Sequence, residues 1–410
     1  MATPIPTNCA PFSLEELEAV TGGTWLQRGR VAAVAGVGTD TRDQLEGKVF
    51  VALEGERFDG HDFVAKAVDA GASVLLVSRP VAAPSGVGVL RVSDTLLALG
   101  ALAAEHRRRW GGKVIAIGGA AGKTTTRAAT SALLGAAFPG EVHSTTGNLN
   151  NRVGVPMVLL GLQSGHRYAV VEVGTNEVGE IPKLAAICQA DLALITLVEL
   201  EHTEGLGDLD GVEKEEGALL AALGPDGLAL VNGDDPRAVR CLQRAQASHR
   251  MRYGTAEVAE CRLVERIPNT DGGASLRIMT PSGRTRNLTT SLVGLPGALA
   301  VTAAVAVVEA LRPELSDETL QAALGSLGTG EGGRLQVREA QAGGAIVDDC
   351  YNANPASMRS SLGVARELAA ARGRRLLLVL GEMRELGALS EAEHGRLAES
   401  LQSTERVVLV

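Results

Sequence analysis

The stretch KVIAIGGAAGKTTT, residues 113–126, decides the fold of the middle of the chain. KVIAI is a short apolar run rich in β-branched residues, typical of a buried parallel strand, and a helical stretch follows the glycines. Glycine lets the backbone turn tightly toward an anion, and the first N–H groups of the next helix point at its oxygens. We therefore predict a phosphate-binding loop made of Gly119, Ala120, Ala121, Gly122, Lys123, Thr124 and Thr125.

Within this loop we expect Lys123 to bridge the outer phosphates of a nucleotide and the Thr124 hydroxyl to bind Mg²⁺. The motif is shorter than the full Walker pattern, because Ile117 stands where that pattern has its first glycine. A glycine-rich turn with an incidental lysine is the alternative interpretation. The order of strand, loop, GKTTT and helix favours the phosphate site.

Apolar runs alternate with helical stretches along most of the chain, which predicts an α/β fold with a parallel sheet. YAVVEVG, DLALITL and GLALVNGDD are further candidate strands of the central block. Alternating segments within residues 257–293 predict a small antiparallel patch, and residues 297–311 read as a helix. From Gly332 onward the order is βαβαβ, half of a doubly wound sheet. We divide the chain into domains at residues 1–105, 106–329 and 330–410.

Composition and charge exclude several classes of protein. The 410 residues are 45% hydrophobic and 21% charged, with a formal net charge of −9, which argues against a disordered chain and against nucleic-acid binding. The basic run of residues 106–109 is expected to be a solvated helix end. No apolar run approaches the ~18–20 residues that a membrane helix needs, and five dispersed cysteines favour a reduced, cytoplasmic protein.

Two further side chains are candidates for phosphoryl chemistry. Glu172 lies near the end of the strand AVVEV, where a carboxylate is either buried at a site or an exposed strand end. His202 follows the strand LALIT, in a loop at the edge where parallel sheets bind ligands. A structural histidine is the alternative there.

Motifs in all three domains resemble those of one enzyme family, the Mur ligases. They are TDTRDQLEGKVFVAL and FDGHDF in the first domain, GAAGKTTT, TTGNLNNRVGVP and VEVGTNEVGEI in the second, and GRLQV, DDCYNANPASM and LGEMRELG in the third. The resemblance covers nearly the whole chain. GNLNN together with YNANP resembles the branch of the family that adds D-Ala-D-Ala, and folate or cyanophycin relatives explain these motifs poorly.

The resemblance implies a three-domain α/β architecture. An N-terminal domain binds the UDP-linked substrate, a central P-loop-type parallel sheet with the antiparallel patch binds ATP, and a C-terminal Rossmann-like domain binds D-Ala-D-Ala and contacts the nucleotide. The third domain is expected to be short, since the chain ends at Val410 on its last apparent strand. The implied reaction is ATP- and Mg²⁺-dependent addition of D-Ala-D-Ala to UDP-MurNAc-tripeptide through an acyl phosphate, in cytoplasmic peptidoglycan synthesis, by a monomer.

The resemblance also implies roles for individual residues. The catalytic group is Lys123, Glu172, His202 and Arg334, and Arg334 and Asp349 join the loop in binding ATP. The implied metal ligands are Thr124, Glu172 and His202, with Glu216 as a further candidate. The implied substrate-binding residues are Thr39, Asp40, Thr41, Arg42, Asn148, Asn150, Asn151, Tyr351, Asn352 and Asn354. Polar turns and a surface arginine are the alternatives for these segments.

Two positions depart from the family pattern. Glu216 stands where the family has a carbamylated lysine, and Lys214 is expected on another face of the same helix. Residues 297–303, GALAVTA, lack the amide side chains that hold adenine in the family, so weaker nucleotide binding or other adenine contacts are expected. A related protein with impaired ligase activity that still binds UDP-precursor or ATP, and a Mur ligase with another acceptor, therefore remain alternatives.

Overall fold

The computed structural model describes residues 3, 5–55, 58–328, 332–340, 344–401 and 406–410. The chain forms two compact units: Met1–Val114 with His143–Val171 and Lys183–Gln189, and Ile115–Val142 with Glu172–Pro182 and Ala190–Val410. The three domain ranges given above stay a prediction. Their second boundary, at 329/330, lies outside the described residues.

The N-terminal part of the chain contains short strands, three α-helices and one 3₁₀ helix within the described residues. These elements are β1 (Pro11–Ser13), α1 (Leu14–Thr21), β2 (Thr24–Gln27), β3 (Ala33–Ala35), β4 (Val37–Gly38), β5 (Val49–Val51), β6 (Glu54–Gly55), β7 (Phe58–Asp59), a 3₁₀ helix (Gly60–Phe63), α2 (Val64–Asp69), β8 (Val74–Val77), β9 (Gly88–Arg91) and α3 (Thr95–Trp110). A five-stranded sheet of described strands has the order β2-β9-β8-β5-β4. β4, β5, β8 and β9 run parallel, and β2 pairs antiparallel to β9.

Local sequence signals fix the first helix. Ser13 caps α1 and forms a capping box with Glu16, and Gly22 ends the helix with φ +63°. A serine cap with glutamate three residues later and a glycine after the last turn are common local signals for the start and the end of a helix. The apolar segment KVFVAL contains the buried β5, whose residues Val49, Phe50 and Val51 lie in the core.

The middle of the chain alternates strands and helices. Its elements are β10 (Lys113–Gly118), α4 (Lys123–Ala137), β11 (Val142–Ser144), α5 (Gly154–Leu160), β12 (Tyr168–Glu172), α6 (Glu180–Cys188), β13 (Leu192–Ile195), α7 (Thr203–Leu206), α8 (Leu209–Ala221), β14 (Leu228–Asn232), α9 (Pro236–Arg244), β15 (His249–Gly254), β16 (Cys261–Pro268), β17 (Ala274–Met279), β18 (Thr285–Thr290), α10 (Gly294–Leu311) and α11 (Asp317–Gly325).

Among the described residues, nine of these strands form one sheet in the order β11-β12-β10-β13-β14-β15-β16-β17-β18. β10, β13, β14, β15 and β16 run parallel, while β16, β17 and β18 form the predicted antiparallel patch. β10 and β13 are buried on both faces, which explains their continuous apolar sequences. Gly118 pairs with Ile195, so the loops after β10 and β13 start side by side.

The predicted helix at 297–311 begins three residues earlier, at Gly294. The expectation that no apolar stretch is long enough to cross a membrane was wrong on length. Among the described residues, α10 alone is long and apolar enough to cross a membrane, with a mean hydropathy of 1.8 over 18 residues. However, 72% of this stretch is buried, so α10 is a core helix of its unit.

The basic run at the end of α3 is also less solvated than expected. Arg107 is only 7% exposed and donates to the carbonyl oxygens of Cys188 and Gln189, at 3.0 and 2.9 Å. These bonds satisfy a buried guanidinium, so Arg107 holds the end of α3 in place. All five cysteines lie in the described part of the chain and are free thiols.

The C-terminal part has one strand more than predicted, β19, and after it follows the predicted order of strand, helix, strand, helix and strand. Its elements are β19 (Gln336–Glu339), β20 (Ala345–Asp348), α12 (Pro355–Ala371), β21 (Leu377–Leu380), a 3₁₀ helix (Gly387–Leu389), α13 (Ser390–Glu399) and β22 (Arg406–Leu409). The strands do not pair into the one half-sheet that was predicted. In the described residues, β20 pairs with β19, antiparallel, and β21 pairs with β22, parallel, in separate ladders.

Candidate active site

The seven predicted phosphate-loop residues form the turn from β10 into the first turn of α4. Gly119 has φ +117°, and a Cβ there would lie 2.3 Å from Thr196 Oγ1, so only glycine fits. The loop is fixed to the end of β13, because Ala120 N donates to Leu197 O at 2.7 Å and Thr196 Oγ1 donates to Ala121 O at 2.7 Å. Gly122, exposed and with φ +84°, is the N-cap of α4. The N-terminal N–H groups of a 15-residue helix therefore open onto this loop.

Lys123 folds back over the loop. Its Nζ donates to Gly119 O at 2.5 Å and lies 3.7 Å from Glu201 Oε2. Burial disfavours the ammonium, but the carboxylates of Glu201, Glu216 and Glu172 outweigh that effect and raise the pKa of Lys123. The lysine is therefore a charged group held at the mouth of the loop.

Three buried carboxylates surround the lysine. Glu172, at the end of β12, is 1% exposed and accepts from Thr124 Oγ1 at 3.2 Å. Glu201 is 4% exposed, and Glu216, on α8, is fully buried. Burial raises the pKa of both Glu201 and Glu216, and Lys123 opposes that rise.

Several of these oxygens lack a partner of their own. Among the described residues, Glu201 Oε1 and both carboxylate oxygens of Glu216 have no hydrogen-bond partner. The Gly119 N–H approaches Glu216 and opposes the rise of its pKa, without forming a proper hydrogen bond. Buried anionic oxygens without donors are costly unless a cation neutralises them. Lys214 is exposed on another face of α8, as predicted.

The predicted metal ligands are only partly brought together. Thr124 and Glu172 are in contact, but His202 turns to a different partner. His202 Nδ1 is hydrogen-bonded to Glu385 Oε2, and its Nε2 lies 3.9 Å from Glu201 Oε2. Among the described residues, Glu172, His202 and Glu216 do not form a group whose ligand atoms all lie within 4.8 Å of one another.

Within the described part of the chain, one trio of acidic and histidine side chains has ligand atoms all within 4.8 Å of one another: Glu54, Asp59 and His61. His61 Nδ1 is 2.6 Å from Asp59 Oδ1, and its Nε2 accepts from Ser78 N at 2.9 Å. Arg79 lies 2.6 Å from the other oxygen of Asp59. Both imidazole nitrogens are thus used in hydrogen bonds, which makes this trio a structural network.

Two predicted residues after the central block stack on each other. The guanidinium of Arg334 lies 4.0 Å from the centre of the Tyr351 ring, and Arg334 is close enough to Lys123 to oppose its protonation. Asp349 accepts from Leu335 N at 3.0 Å and from the Ser361 hydroxyl. Burial raises the pKa of Asp349. Its two hydrogen bonds, together with the positive charge of the nearby Arg334, oppose that rise.

Asn354 joins the YNANP segment to the phosphate loop. Its Oδ1 accepts from Ser357 N at 2.8 Å and caps α12, while its Nδ2 donates to Ala120 O at 3.3 Å. The polar turn before Pro355 and the contact with the loop thus coexist in one side chain. Asn352 is exposed and accepts from Ala353 N.

The residues predicted to bind the UDP-linked substrate lie in well-formed turns. Asp40 Oδ1 accepts from Arg42 N and Arg42 Nε, both at 2.9 Å, in the turn that also holds Thr39 and Thr41. Asn148 Oδ1 accepts from the Thr3 hydroxyl at 2.7 Å. Asn151 Oδ1 accepts from Gly154 N at 2.8 Å, at the start of α5, and Asn150 N donates to Asn148 O. Their role in binding stays a prediction.

The adenine-side departure is visible in α10. Ala298, Ala300 and Ala303 are buried, and the Thr302 hydroxyl donates to Ala298 O within the helix.

The sequence analysis missed two residues near Lys123 and His202, namely Glu201 and Glu385. Glu201 carries a signal, because it is a charged residue directly before His202 after a buried strand. Glu385 lies 183 residues further along the chain, and its contact with His202 has no local signal.

Comparisons with known proteins point to one family over most of the chain. Three sequence models of one family match it: Mur ligase family, catalytic domain, at residues 33–107; Mur ligase middle domain, at residues 117–308; and Mur ligase, glutamate ligase domain, at residues 333–410. The UDP-N-acetylmuramoyl-tripeptide–D-alanyl-D-alanine ligase of Escherichia coli is 35% identical over 368 residues, covering 90% of this chain and 78% of that protein.

Solved structures give the same relation. A crystal structure of MurF from Acinetobacter baumannii superimposes with a TM-score of 0.87 at 32% identity, covering 99% of this chain and 86% of that one. MurF ligase from Thermotoga maritima in complex with ADP gives a TM-score of 0.79 at 27% identity, covering 91% and 83%.

Proposed function

The chain belongs to the Mur ligase family, and we propose that it is the ATP-dependent ligase that adds D-Ala-D-Ala to UDP-MurNAc-tripeptide, forming ADP and phosphate. The observation that carries the proposal is the hydrogen bond from Asn354 Nδ2 to Ala120 O. It joins the YNANP motif, which resembles the D-Ala-D-Ala-adding branch, to the nucleotide loop.

The chemistry follows from the poor reactivity of a carboxylate. An oxygen of the terminal carboxylate of the tripeptide attacks the γ-phosphorus of ATP, the bond from that phosphorus to the β,γ-bridging oxygen breaks, and ADP leaves. The amine of D-Ala-D-Ala then attacks the acyl carbon, forming a tetrahedral intermediate. The C–O bond to phosphate then breaks, and the proton lost by the amine goes to the departing phosphate. Phosphate is a far better leaving group than the oxide of a free carboxylate.

The phosphate loop provides electrostatic stabilisation in this proposal. The Lys123 ammonium already lies at the mouth of the loop, so little reorganisation is needed when phosphate oxygens take the place of Gly119 O and Glu201 as its partners. Arg334 brings a second positive charge near Lys123. We assign Arg334 and Asp349 to ATP, with Lys123, Glu172, His202 and Arg334 as the catalytic group.

The residues of this region fit a divalent cation. Glu201 Oε1 and the two oxygens of Glu216 are buried without a hydrogen-bond partner among the described residues, and magnesium prefers such hard oxygen donors. When bound, Mg²⁺ would neutralise charge on the phosphates. Thr124 and Glu172 would hold it, with His202 as a third ligand and Glu216 as a further candidate. Since Glu216 is itself a carboxylate, it needs no covalent modification to present an anionic oxygen pair.

The other assignments concern the two substrates. Thr39, Asp40, Thr41 and Arg42, with Asn148, Asn150 and Asn151, are assigned to the UDP-linked substrate, and Tyr351, Asn352 and Asn354 to the side where the dipeptide enters. We further propose that this reaction takes place in the cytoplasm, in peptidoglycan precursor synthesis, and that the protein acts as a monomer.

The test is mass spectrometry of a reaction with protein, ATP, Mg²⁺, UDP-MurNAc-tripeptide and D-Ala-D-Ala. We expect a new UDP-linked pentapeptide that requires both ATP and Mg²⁺ and that is absent with the Lys123→Ala variant. A panel of single amino acids as acceptors should give no product. No pentapeptide, or a product with another acceptor, contradicts the proposal.

A further inference from the structure

The contact between His202 and Glu385 joins two distant parts of the second unit. His202 Nδ1 is hydrogen-bonded to Glu385 Oε2, and both residues have left-handed backbones, with φ +49° and +64°. This conformation is uncommon for residues other than glycine and needs support from its surroundings. Two further bonds supply it, from Thr203 Oγ1 to Leu386 O at 2.9 Å and from Glu204 N to Glu385 O at 3.2 Å.

The segment that carries Glu385 is anchored in the structure. Met383 and Leu386, on either side of it, are 1% and 2% exposed, while the Glu385 side chain is 58% exposed. Two buried anchors thus hold an otherwise accessible carboxylate against the imidazole. An exposed ion pair adds little to stability, so this geometry calls for an explanation other than folding energy.

The chemistry of the hydrogen bond fixes the proton on the ring. A carboxylate accepts and does not donate, so the proton of the His202–Glu385 bond is on Nδ1. In the neutral ring the lone pair is then on Nε2, which lies 3.9 Å from Glu201 Oε2 and faces the side of Lys123. Two electron-pair donors therefore face each other, an arrangement that a cation between them would satisfy.

We propose that Glu385 is a positioning residue that holds His202 in its Nδ1–H tautomer, with Nε2 presented to the nucleotide and metal side of the site. The inference rests on the proposed function. Partners of this kind orient a metal-binding histidine, and their loss typically costs about 10- to 100-fold in metal affinity or activity. Because Glu385 follows β21, the imidazole is correctly oriented only while this C-terminal segment is docked on the loop at 202–206.

The first test reads the tautomer without metal, nucleotide or turnover. Nitrogen-15 NMR of the full chain labelled at histidine, at about pH 8, reports which ring nitrogen carries the proton. The His202 signals are those that disappear in His202→Gln. We expect a protonated Nδ1 and a bare Nε2 in the wild type, and a shift toward Nε2–H in Glu385→Ala.

Two matched variants control this result. Glu385→Gln keeps an acceptor oxygen and the same backbone demand, so it should retain the Nδ1–H tautomer. Glu382→Ala removes a carboxylate of the same segment that pairs with Arg384, 3.4 Å away, and should match the wild type. A proton on Nε2 of the wild type, or the same tautomer in Glu385→Ala as in the wild type, overturns the proposal.

The second test measures metal binding. Titration with Mn²⁺, followed by electron paramagnetic resonance in the presence of ADP, should show binding about 10-fold weaker in Glu385→Ala and unchanged in Glu382→Ala. Equal Mn²⁺ affinity in all variants overturns the positioning role. Absence of pentapeptide from the wild type would instead contradict the proposed function, while the tautomer measurement would still decide the role of Glu385.

Discussion

Replacing Asn354 by serine separates the two hydrogen bonds of its side chain. Serine caps a helix about as well as asparagine, so the bond to Ser357 N is retained, but its side chain is too short to reach Ala120 O. A hydrogen bond contributes about 0.5–1.5 kcal/mol net. We therefore expect the free energy of unfolding to fall by about 0.5–1.5 kcal/mol. Because the bond supports the loop in its nucleotide-binding conformation, nucleotide affinity should fall as well, by at most about 13-fold, since RT is about 0.6 kcal/mol.

Two further variants complete the design. Asn354→Ala loses both bonds and should weaken nucleotide binding as much as Asn354→Ser does, while the lost cap lowers the free energy of unfolding by about 1 kcal/mol more than in Asn354→Ser. Ser316→Ala removes the cap of α11, where Ser316 accepts from Thr319 N, and should lower only that free energy. Affinity is measured with a fluorescent ADP analogue, and unfolding with urea. Wild-type affinity in both Asn354 variants would refute the link between the YNANP segment and the phosphate loop.

Four other outcomes are expected. Lys123→Ala should abolish turnover while the circular dichroism stays that of the wild type; normal turnover would disprove the loop assignment. Glu216→Gln should raise the Mg²⁺ concentration needed for half-maximal turnover, and an unchanged Mg²⁺ dependence would remove it from the ligands. Arg286→Met leaves a buried carboxylate unpaired and should lower the free energy of unfolding in urea by about 3–5 kcal/mol; a loss below about 1 would contradict this. The arginine partners of Glu105 hold the pKa of this carboxyl at about 2, below its ordinary 4.5, so the wild type should lose stability as the pH falls from 4.5 to about 2. Glu105→Gln should lose less stability over this range, and a melting temperature with the same pH dependence in both proteins would contradict this prediction.

Local patterns predicted much of the fold. The caps of α1, the strand and helix around the phosphate loop, and the antiparallel hairpins β16–β18 each follow from residues close together in sequence. The exposure of Lys214 against the burial of Glu216 follows from helical periodicity. These signals are short-range, so a single sequence carries them.

Long-range contacts could not be predicted in the same way. The burial of Arg107 depends on two carbonyl groups about 80 residues away, and the orientation of His202 depends on Glu385. The sequence around each residue is compatible with an exposed side chain. Only the tertiary structure shows that Asn354 contacts the phosphate loop in addition to capping its own helix.

The most direct test of the ligase mechanism is an oxygen-transfer experiment. UDP-MurNAc-tripeptide labelled with oxygen-18 in its terminal carboxylate is incubated with the protein, ATP, Mg²⁺ and D-Ala-D-Ala, and the released phosphate is analysed by mass spectrometry. An acyl phosphate predicts that one labelled oxygen appears in phosphate for each pentapeptide formed, together with ADP. Pentapeptide formed with unlabelled phosphate, or with release of AMP, would contradict the account.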